Sequence, residues 1–286
     1  MKALRADGLL LVDKPAGITS HAVVDQARRI LGTRRVGHAG TLDPFATGLL
    51  VLLVNRATRL LPFLDAEPKV YRARIRFGAQ TTTDDVEGDV VARAGVPEQA
   101  IVERAIGTLT GHLVQRPPAF SAKQVGGVRA YAAARRGTPL ALEPVGVTVF
   151  EWRVVGRDGP DLDAEICCSG GTYVRALARD LGEASGSLAH LAQLRRIRSG
   201  RFDVRDAVDL DRVQAGTVSL LSPVSAVAQL PEQALDDLDA QRICHGQVVS
   251  ATAEGEVAAL RHRDELLAIA IREGDSWRPK VVMRDA

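Results

Sequence analysis

Asp43 stands in the run Gly37-His38-Ala39-Gly40-Thr41-Leu42-Asp43-Pro44-Phe45-Ala46-Thr47-Gly48, where a single carboxylate is surrounded by residues that shape the backbone. The three glycines permit tight or left-handed turns, and Pro44 biases Asp43 toward extended geometry, so the loop can aim one reactive group. Read from residue types alone, an Asp among Gly and Pro is more often a turn residue bonded to its own backbone. A second signal is Gly171-Thr172-Tyr173-Val174-Arg175-Ala176-Leu177-Ala178-Arg179-Asp180-Leu181-Gly182. It puts Arg175 in the first turn of a predicted helix behind an extended strand. A guanidinium there could reach a neighbouring carboxylate, although a solvated helix position is the default for such a residue. Tyr71 belongs to the alternating run Lys69 to Phe77, and its periodicity fits core, with a polar tip on an aromatic ring. His38 has no second His, Cys or carboxylate at ligand spacing, so no metal is expected. Asp84-Asp85-Val86-Glu87-Gly88 looks superficially like a calcium loop but lacks the alternating ligands and the terminal Glu.

The elements that must position these groups follow from the hydrophobic pattern. Residues 8–12 form a short apolar run, and Thr19-Ser20 then caps a helix with Val23, Val24, Ala27, Ile30 and Leu31 on one face, stopped by Gly32. The Asp43 loop leads into a buried strand, Leu49 to Val54, and a brief helix over 55–64. Lys69 to Phe77 alternates, with Tyr71, Ala73, Ile75 and Phe77 on one face and Arg72, Arg74 and Arg76 on the other. Further helices are predicted over 97–107, 131–136 and about 172–184, and a strand pair over 145–155 and 162–168. An Arg-rich segment, 194–204, follows. Strands and helices mix without a regular βαβ period, so the fold class is α/β of the mixed α+β kind rather than doubly wound. Past residues 223–231 the chain turns acidic, with strand-like runs over 256–260, 266–271 and 280–283. The predicted division is a catalytic domain over 1–228 and a small β-rich domain over 229–286.

At 286 residues, 46% hydrophobic and 25% charged, the chain can bury a sizeable core. The net charge is only +2, but residues 1–80 carry 13 Lys and Arg against 6 Asp and Glu, whereas residues 206–286 carry 8 against 14. The asymmetry points to a polyanion at the first half. Arginines at 28, 29, 34 and 35, at 72, 74 and 76, and at 195, 196, 198, 201 and 205 form a phosphate-binding surface if they converge. Three cysteines, Cys167, Cys168 and Cys244, make neither a disulfide framework nor a zinc spacing, and fit a reducing compartment. The longest apolar run, 49–54, is far short of the roughly 20 residues of a membrane span. A cytoplasmic protein with no membrane association is expected.

The Asp43 loop, together with Gly8-Leu9-Leu10-Leu11-Val12-Asp13-Lys14-Pro15-Ala16-Gly17-Ile18-Thr19-Ser20, closely resembles the TruB family of tRNA pseudouridine synthases, over about residues 8–205. The resemblance implies the pseudouridine synthase fold, a central mixed, largely antiparallel sheet flanked by helices, with a small PUA-like C-terminal domain that assists RNA binding. It implies that Asp43 is catalytic, that Arg175 pairs with it, and that Tyr71 packs against the target base. His38 would stack on RNA, Leu194 would wall the uracil pocket, and Asp85 would help arrange the site. Tyr173, Arg195 and Arg196 complete the expected substrate and RNA contacts.

The implied reaction is isomerisation of uridine to pseudouridine at position 55 in the T arm of tRNA, through base flipping, with no cofactor and no metal. The partner is tRNA alone, with no obligate protein partner, and a monomer is expected. Residues 115–137 resemble the family's segment that closes over RNA, with departures at Phe120, Lys123 and Gln124 from the usual residues. The alternatives are a relative that needs guide RNA and protein partners, and a catalytically silent RNA-binding or RNA-folding protein.

Overall fold

The computed structural model of the chain describes residues 6–120, 124, 125, 128, 129, 133, 136, 138, 140 and 142–284. Most of the segment expected to close over RNA, including Ser121, Lys123 and Tyr131, and most of the helix predicted over 131–136 lie outside them.

In chain order the first strands are β1 (Gly8–Lys14), β2 (Val36–His38), β3 (Thr47–Val54), β4 (Lys69–Phe77), β5 (Ala79–Thr81), β6 (Val90–Arg93) and β7 (Gly111–Gln115). There follow β8 (Gln124–Val125), β9 (Val128–Arg129), β10 (Val145–Asp158), β11 (Asp161–Cys168), β12 (Ala189–Ser199), β13 (Phe202–Asp203) and β14 (Val208–Asp209). The helices among them are α1 (Ser20–Leu31), α2 (Gln99–Thr108), α3 (Val174–Ala184) and α4 (Leu210–Gln214). The main sheet runs β14-β1-β3-β12-β4-β11-β10-β7, with β2 beside β3 and β13 beside β12. Only β1 with β14 and β3 with β12 are parallel, so the expected mixed, largely antiparallel sheet is what forms.

The apolar run in β3 is continuous because both faces of that strand are covered. Leu50, Leu52 and Val54 pack with Val23, Val24, Ala27 and Leu31 of α1. Leu49, Val51 and Leu53 pack on the other side with Ala259, Ile269 and Val281 of the C-terminal strands. The α1 boundaries follow the sequence signals: Thr19 accepts a hydrogen bond from the Ala22 N–H, and Gly32 closes the helix in the left-handed conformation at φ 64°. Where a brief helix was expected after β3, the chain forms a 3₁₀ segment, Asn55–Phe63, with Pro62 inside it. A proline there removes a donor and disfavours regular α-helical bonding. Tyr71, Ala73, Ile75 and Phe77 of β4 join a core with Val102 and Ala105 of α2 and Leu177, Ala178 and Leu181 of α3.

A second sheet gathers the C-terminal strands β15 (Glu232–Ala234), β16 (Val249–Ser250), β17 (Val257–His262), β18 (Glu265–Glu273) and β19 (Ser276–Val282), in the order β15-β17-β18-β19-β16. Helix α5 (Asp237–Cys244), which the periodicity did not suggest, is capped by Asp236 and packs beside it. Arg56 and Arg59 donate to the carbonyls of Met283 and Val282, tying this sheet to the start of the 3₁₀ segment.

Candidate active site

The Asp43 loop is held by the N-terminal motif. Ser20 Oγ donates to the Leu42 carbonyl at 3.0 Å and accepts from the Leu42 N–H at 2.8 Å. The Pro44 carbonyl accepts from the Gly17 N–H at 2.8 Å and from Lys14 Nζ at 3.1 Å. Both neighbours of Asp43 are therefore fixed to the segment that runs from β1 into α1. Lys14 is fully buried, and its ammonium also donates to the carbonyls of Pro15 and Ile18, each at 2.8 Å. Burial brings its pKa down to about 8 against the opposing pull of Asp43 and Glu87. On the far side of the loop, Gly48 adopts φ +101°, and a Cβ there would lie 2.2 Å from the Arg196 carbonyl. The close parallel pairing of β3 with β12 requires glycine at that point.

Arg175 enters from the first turn of α3. Its Nη2 donates to Asp43 Oδ1 at 3.0 Å while Nε lies 2.9 Å from Oδ2 without the alignment of a hydrogen bond, so one hydrogen bond and one close ion contact hold the carboxylate. Nη1 donates to the Thr83 carbonyl at 2.9 Å and lies 3.3 Å from Asp85 Oδ2, and Nη2 also donates to the Phe120 carbonyl at 2.8 Å. Arg175 and Asp85 are each 4% exposed, whereas Asp43 keeps 32% of its side chain open. The buried arginine thus bridges one buried and one accessible carboxylate. The acidic turn that superficially suggested calcium instead serves α3: Asp85 meets Arg175, and Asp84, with φ at +59°, pairs with Arg179 one helical turn later at 3.0 Å. Desolvation raises the Asp43 pKa above the ordinary carboxylate value, and Arg175 offsets part of that rise.

A cavity of about 230 Å³ opens over this pair, lined by Gly40, Thr41, Leu42, Asp43, Lys69, Tyr71, Gly171, Thr172, Tyr173, Val174, Arg175, Leu194 and Arg196. The fold thus brings six of the sequence-predicted residues to one place: Asp43, Tyr71, Tyr173, Arg175, Leu194 and Arg196. Tyr71 is buried, and burial keeps its hydroxyl protonated to higher pH than usual. The Tyr173 backbone is fixed by Gln115, whose side chain donates to its carbonyl and accepts from its N–H. Arg196 is 1% exposed and donates through Nε to the Leu49 carbonyl and through Nη2 to the Gly40 carbonyl.

Three predicted residues do not line the cavity. Asp85 acts through Arg175. His38 ends β2, half-buried, with its imidazole pKa lowered by burial and by Arg196. Arg195 points to Asp13, donating to both carboxylate oxygens at 2.9 and 2.6 Å. Sequence reasoning passed over Ser20, Lys14 and Lys69 as individual residues. The signal for the first two was the Lys-Pro and Thr-Ser pairs of the N-terminal motif, and for Lys69 its place two residues before Tyr71 on the same strand face.

Two of the arginine clusters adjoin, with Arg72 opposite Arg195 across β4 and β12, but many of their members are paired with carboxylates. Arg74 and Arg76 each make two hydrogen bonds across the sheet, to Asp163 and Asp161, and Arg72 lies 3.6 Å from Glu165. Arg205 pairs with Asp203 and Arg28 with Asp25. Arg29, Arg34, Arg35, Arg198 and Arg201 remain exposed and make no ion pair with a described carboxylate.

Residues 28–174 match the family model for the TruB family pseudouridylate synthase N-terminal domain, and residues 175–225 match that for the tRNA pseudouridylate synthase B C-terminal domain. The tRNA pseudouridine synthase B of Thermobifida fusca is 45% identical over 97% of this chain and 98% of its own length. That of Gloeobacter violaceus is 44% identical over 97% and 99%. Among solved structures, an H/ACA RNP bound to a substrate RNA containing 2′-deoxyuridine contains a chain with the same fold, at TM-score 0.73 and 22% identity, covering 97% of this chain and 85% of that one. By both family models and by near full-length identity, this chain belongs to the TruB family of pseudouridylate synthases.

Proposed function

We propose that the chain isomerises uridine to pseudouridine at position 55 in the T arm of tRNA, with Asp43 as its catalytic residue and without cofactor or metal. The observation that carries this reading is the Asp43 carboxylate, gripped by buried Arg175 and open to a cavity walled by Tyr71 and Leu194. The folded loop of the arm would be recognised by shape and backbone, and the target uridine would then turn out of its stack into the cavity at a cost of a few kcal/mol. Stacking on Tyr71 offsets that cost, at about 1–3 kcal/mol per base.

The chemistry exchanges one glycosidic bond for another. The bond from ribose C1′ to uracil N1 breaks, the base turns while held, and C1′ bonds to uracil C5. The C5 proton is then lost and N1 gains one, so the product is an isomer. Attack on C1′ and removal of a ribose proton both require Asp43 ionised, and the Arg175 guanidinium favours that form in a desolvated setting. In this reading Tyr71 stacks on the base and assists the C5 proton transfer. The C-terminal sheet assists RNA binding in this reading as a PUA-like domain. The chain acts as a monomer in the cytoplasm without an obligate protein partner, and its three free cysteines suit a reducing compartment.

Incubating the purified chain with a T-arm stem–loop and mapping pseudouridine tests the reading. Conversion of the single target uridine without guide RNA or added protein is the expected result, and no conversion would contradict it.

A further inference from the structure

Lys69 opens β4 on the same strand face as Tyr71, and its ammonium lies in the wall of the cavity. Among the described residues no carboxylate comes within ion-pair distance of it, and no protein group accepts a hydrogen bond from it. Its charged neighbours are Glu67, which lies beyond ion-pair distance, and a second cation. A Cβ built on Gly40 would lie 3.1 Å from Lys69 Nζ and 3.4 Å from Arg196 Nη1, so both heads converge on one point over the catalytic loop. Gly40 has no side chain to fill it, and its φ of +91° disfavours acquiring one. Arg196 donates to the neutral carbonyls of Leu49 and Gly40 and meets the neutral Tyr71 hydroxyl, partners that leave its charge uncompensated. On the other side of the cavity, by contrast, Arg175 is matched by Asp43 and Asp85.

Two adjacent, partly desolvated cations repel each other, Glu67 offsets only part of the Lys69 charge from beyond ion-pair distance, and an anion seated between the cations relieves the repulsion. The Lys69 pKa is lowered, first by burial and then by Arg196, as such crowding requires. A uracil ring is neutral on entry, whereas an RNA strand brings one negative charge with every nucleotide. We propose that Lys69 and Arg196 form an anion seat that takes a backbone phosphate flanking the everted uridine, with Lys69 as the group that positions the strand. The proposal rests on the RNA-modifying function above. It assigns substrate anchoring to a residue whose type and position gave no such indication in the sequence.

The test uses the full chain and T-arm stem–loops carrying a neutral methylphosphonate at the phosphate 5′ or 3′ of the target uridine. Binding is measured as a function of salt and turnover is measured separately, so an inactive wild type would count against the function and leave the seat to be judged by affinity. Lys69→Met is expected to weaken binding and raise KM about tenfold, the worth of one charge-assisted hydrogen bond, with kcat nearly unchanged. The slope of log affinity against log salt should fall by about 0.7–1, one phosphate's share, and Lys69→Arg should restore both. One of the two methylphosphonates should weaken the wild type by a similar factor and Lys69→Met no further. Equal losses for both proteins at both positions would overturn the seat, as would an unchanged salt slope. A fall in kcat alone would also overturn it, because it would assign the ammonium to the reacting base. The wild-type response to the neutral linkages stands even if the variant folds poorly.

Discussion

Ser20 holds Leu42 by both ends, accepting from its N–H and donating to its carbonyl, so the peptide planes leading into Asp43 are fixed by one buried hydroxyl 22 residues upstream. Ser20→Ala leaves both buried groups without that partner. The expected loss of stability is about 1–3 kcal/mol. Because the loop keeps its cavity but loses its aim, kcat should fall with KM little changed. Urea unfolding and steady-state kinetics check this, and an unchanged kcat would contradict the positioning role.

Arg175 satisfies two carboxylates at once, so removing it leaves Asp85 buried without its counter-charge. Arg175→Met should cost about 3–5 kcal/mol of stability. Its effect on the pH profile is equally specific. Burial already raises the Asp43 pKa, and Arg175 is the largest opposing influence. The acid limb of kcat/KM in the wild type should lie above the ordinary carboxylate value and move further up in Arg175→Met, since the active form is the ionised one. A limb that moves down, or does not move, would contradict the pairing.

Lys14 supplies a stability effect of definite sign. Its folded pKa is about 8 against 10.5 for the ordinary group, because burial disfavours the charged form. Between those values the unfolded chain retains a proton that the folded chain has released, so this residue makes stability rise with pH across that window. The stability of wild type relative to Lys14→Met should therefore climb by roughly 3 kcal/mol from the bottom of the window to its top. Denaturant unfolding at stepped pH measures it, and a flat or falling difference would contradict the assignment.

Arg74 and Arg76 are matched across the sheet by Asp163 and Asp161, so they are not free to neutralise RNA phosphate. Replacing either by Gln should change tRNA affinity less than about threefold and leave stability little changed. Salt-titrated binding distinguishes them from the exposed Arg34, Arg35, Arg198 and Arg201, which pair with no described carboxylate. Neutralising any of these four should lower the salt slope if it contacts phosphate.

Much of this architecture was legible in the chain. Period-two alternation placed Tyr71 on the buried face of β4, and the Thr19 cap with Gly32 bounded α1 within a residue, because both signals are local. The meeting of Asp43 with Arg175 came from family resemblance, since no local pattern links residues 132 apart. The arginines of β4 misled for a related reason: their partners sit on β11, and cross-strand pairing depends on a register that composition does not reveal. Helix α5 was missed because its eight residues, Asp237–Cys244, bury only Ala240 and Ile243, too few to show a helical period. Lys69 escaped notice because a lysine opening a strand is ordinary until Arg196 is seen beside it in the cavity wall.

The central claim is that one carboxylate performs the isomerisation, and Asp43→Asn tests it most directly because the amide keeps the shape and loses the charge. With a T-arm stem–loop as substrate, the variant should bind the RNA with affinity close to that of the wild type and form pseudouridine at a rate lower by at least about 10²–10⁴-fold. Pseudouridine formation by Asp43→Asn at the wild-type rate would contradict the account.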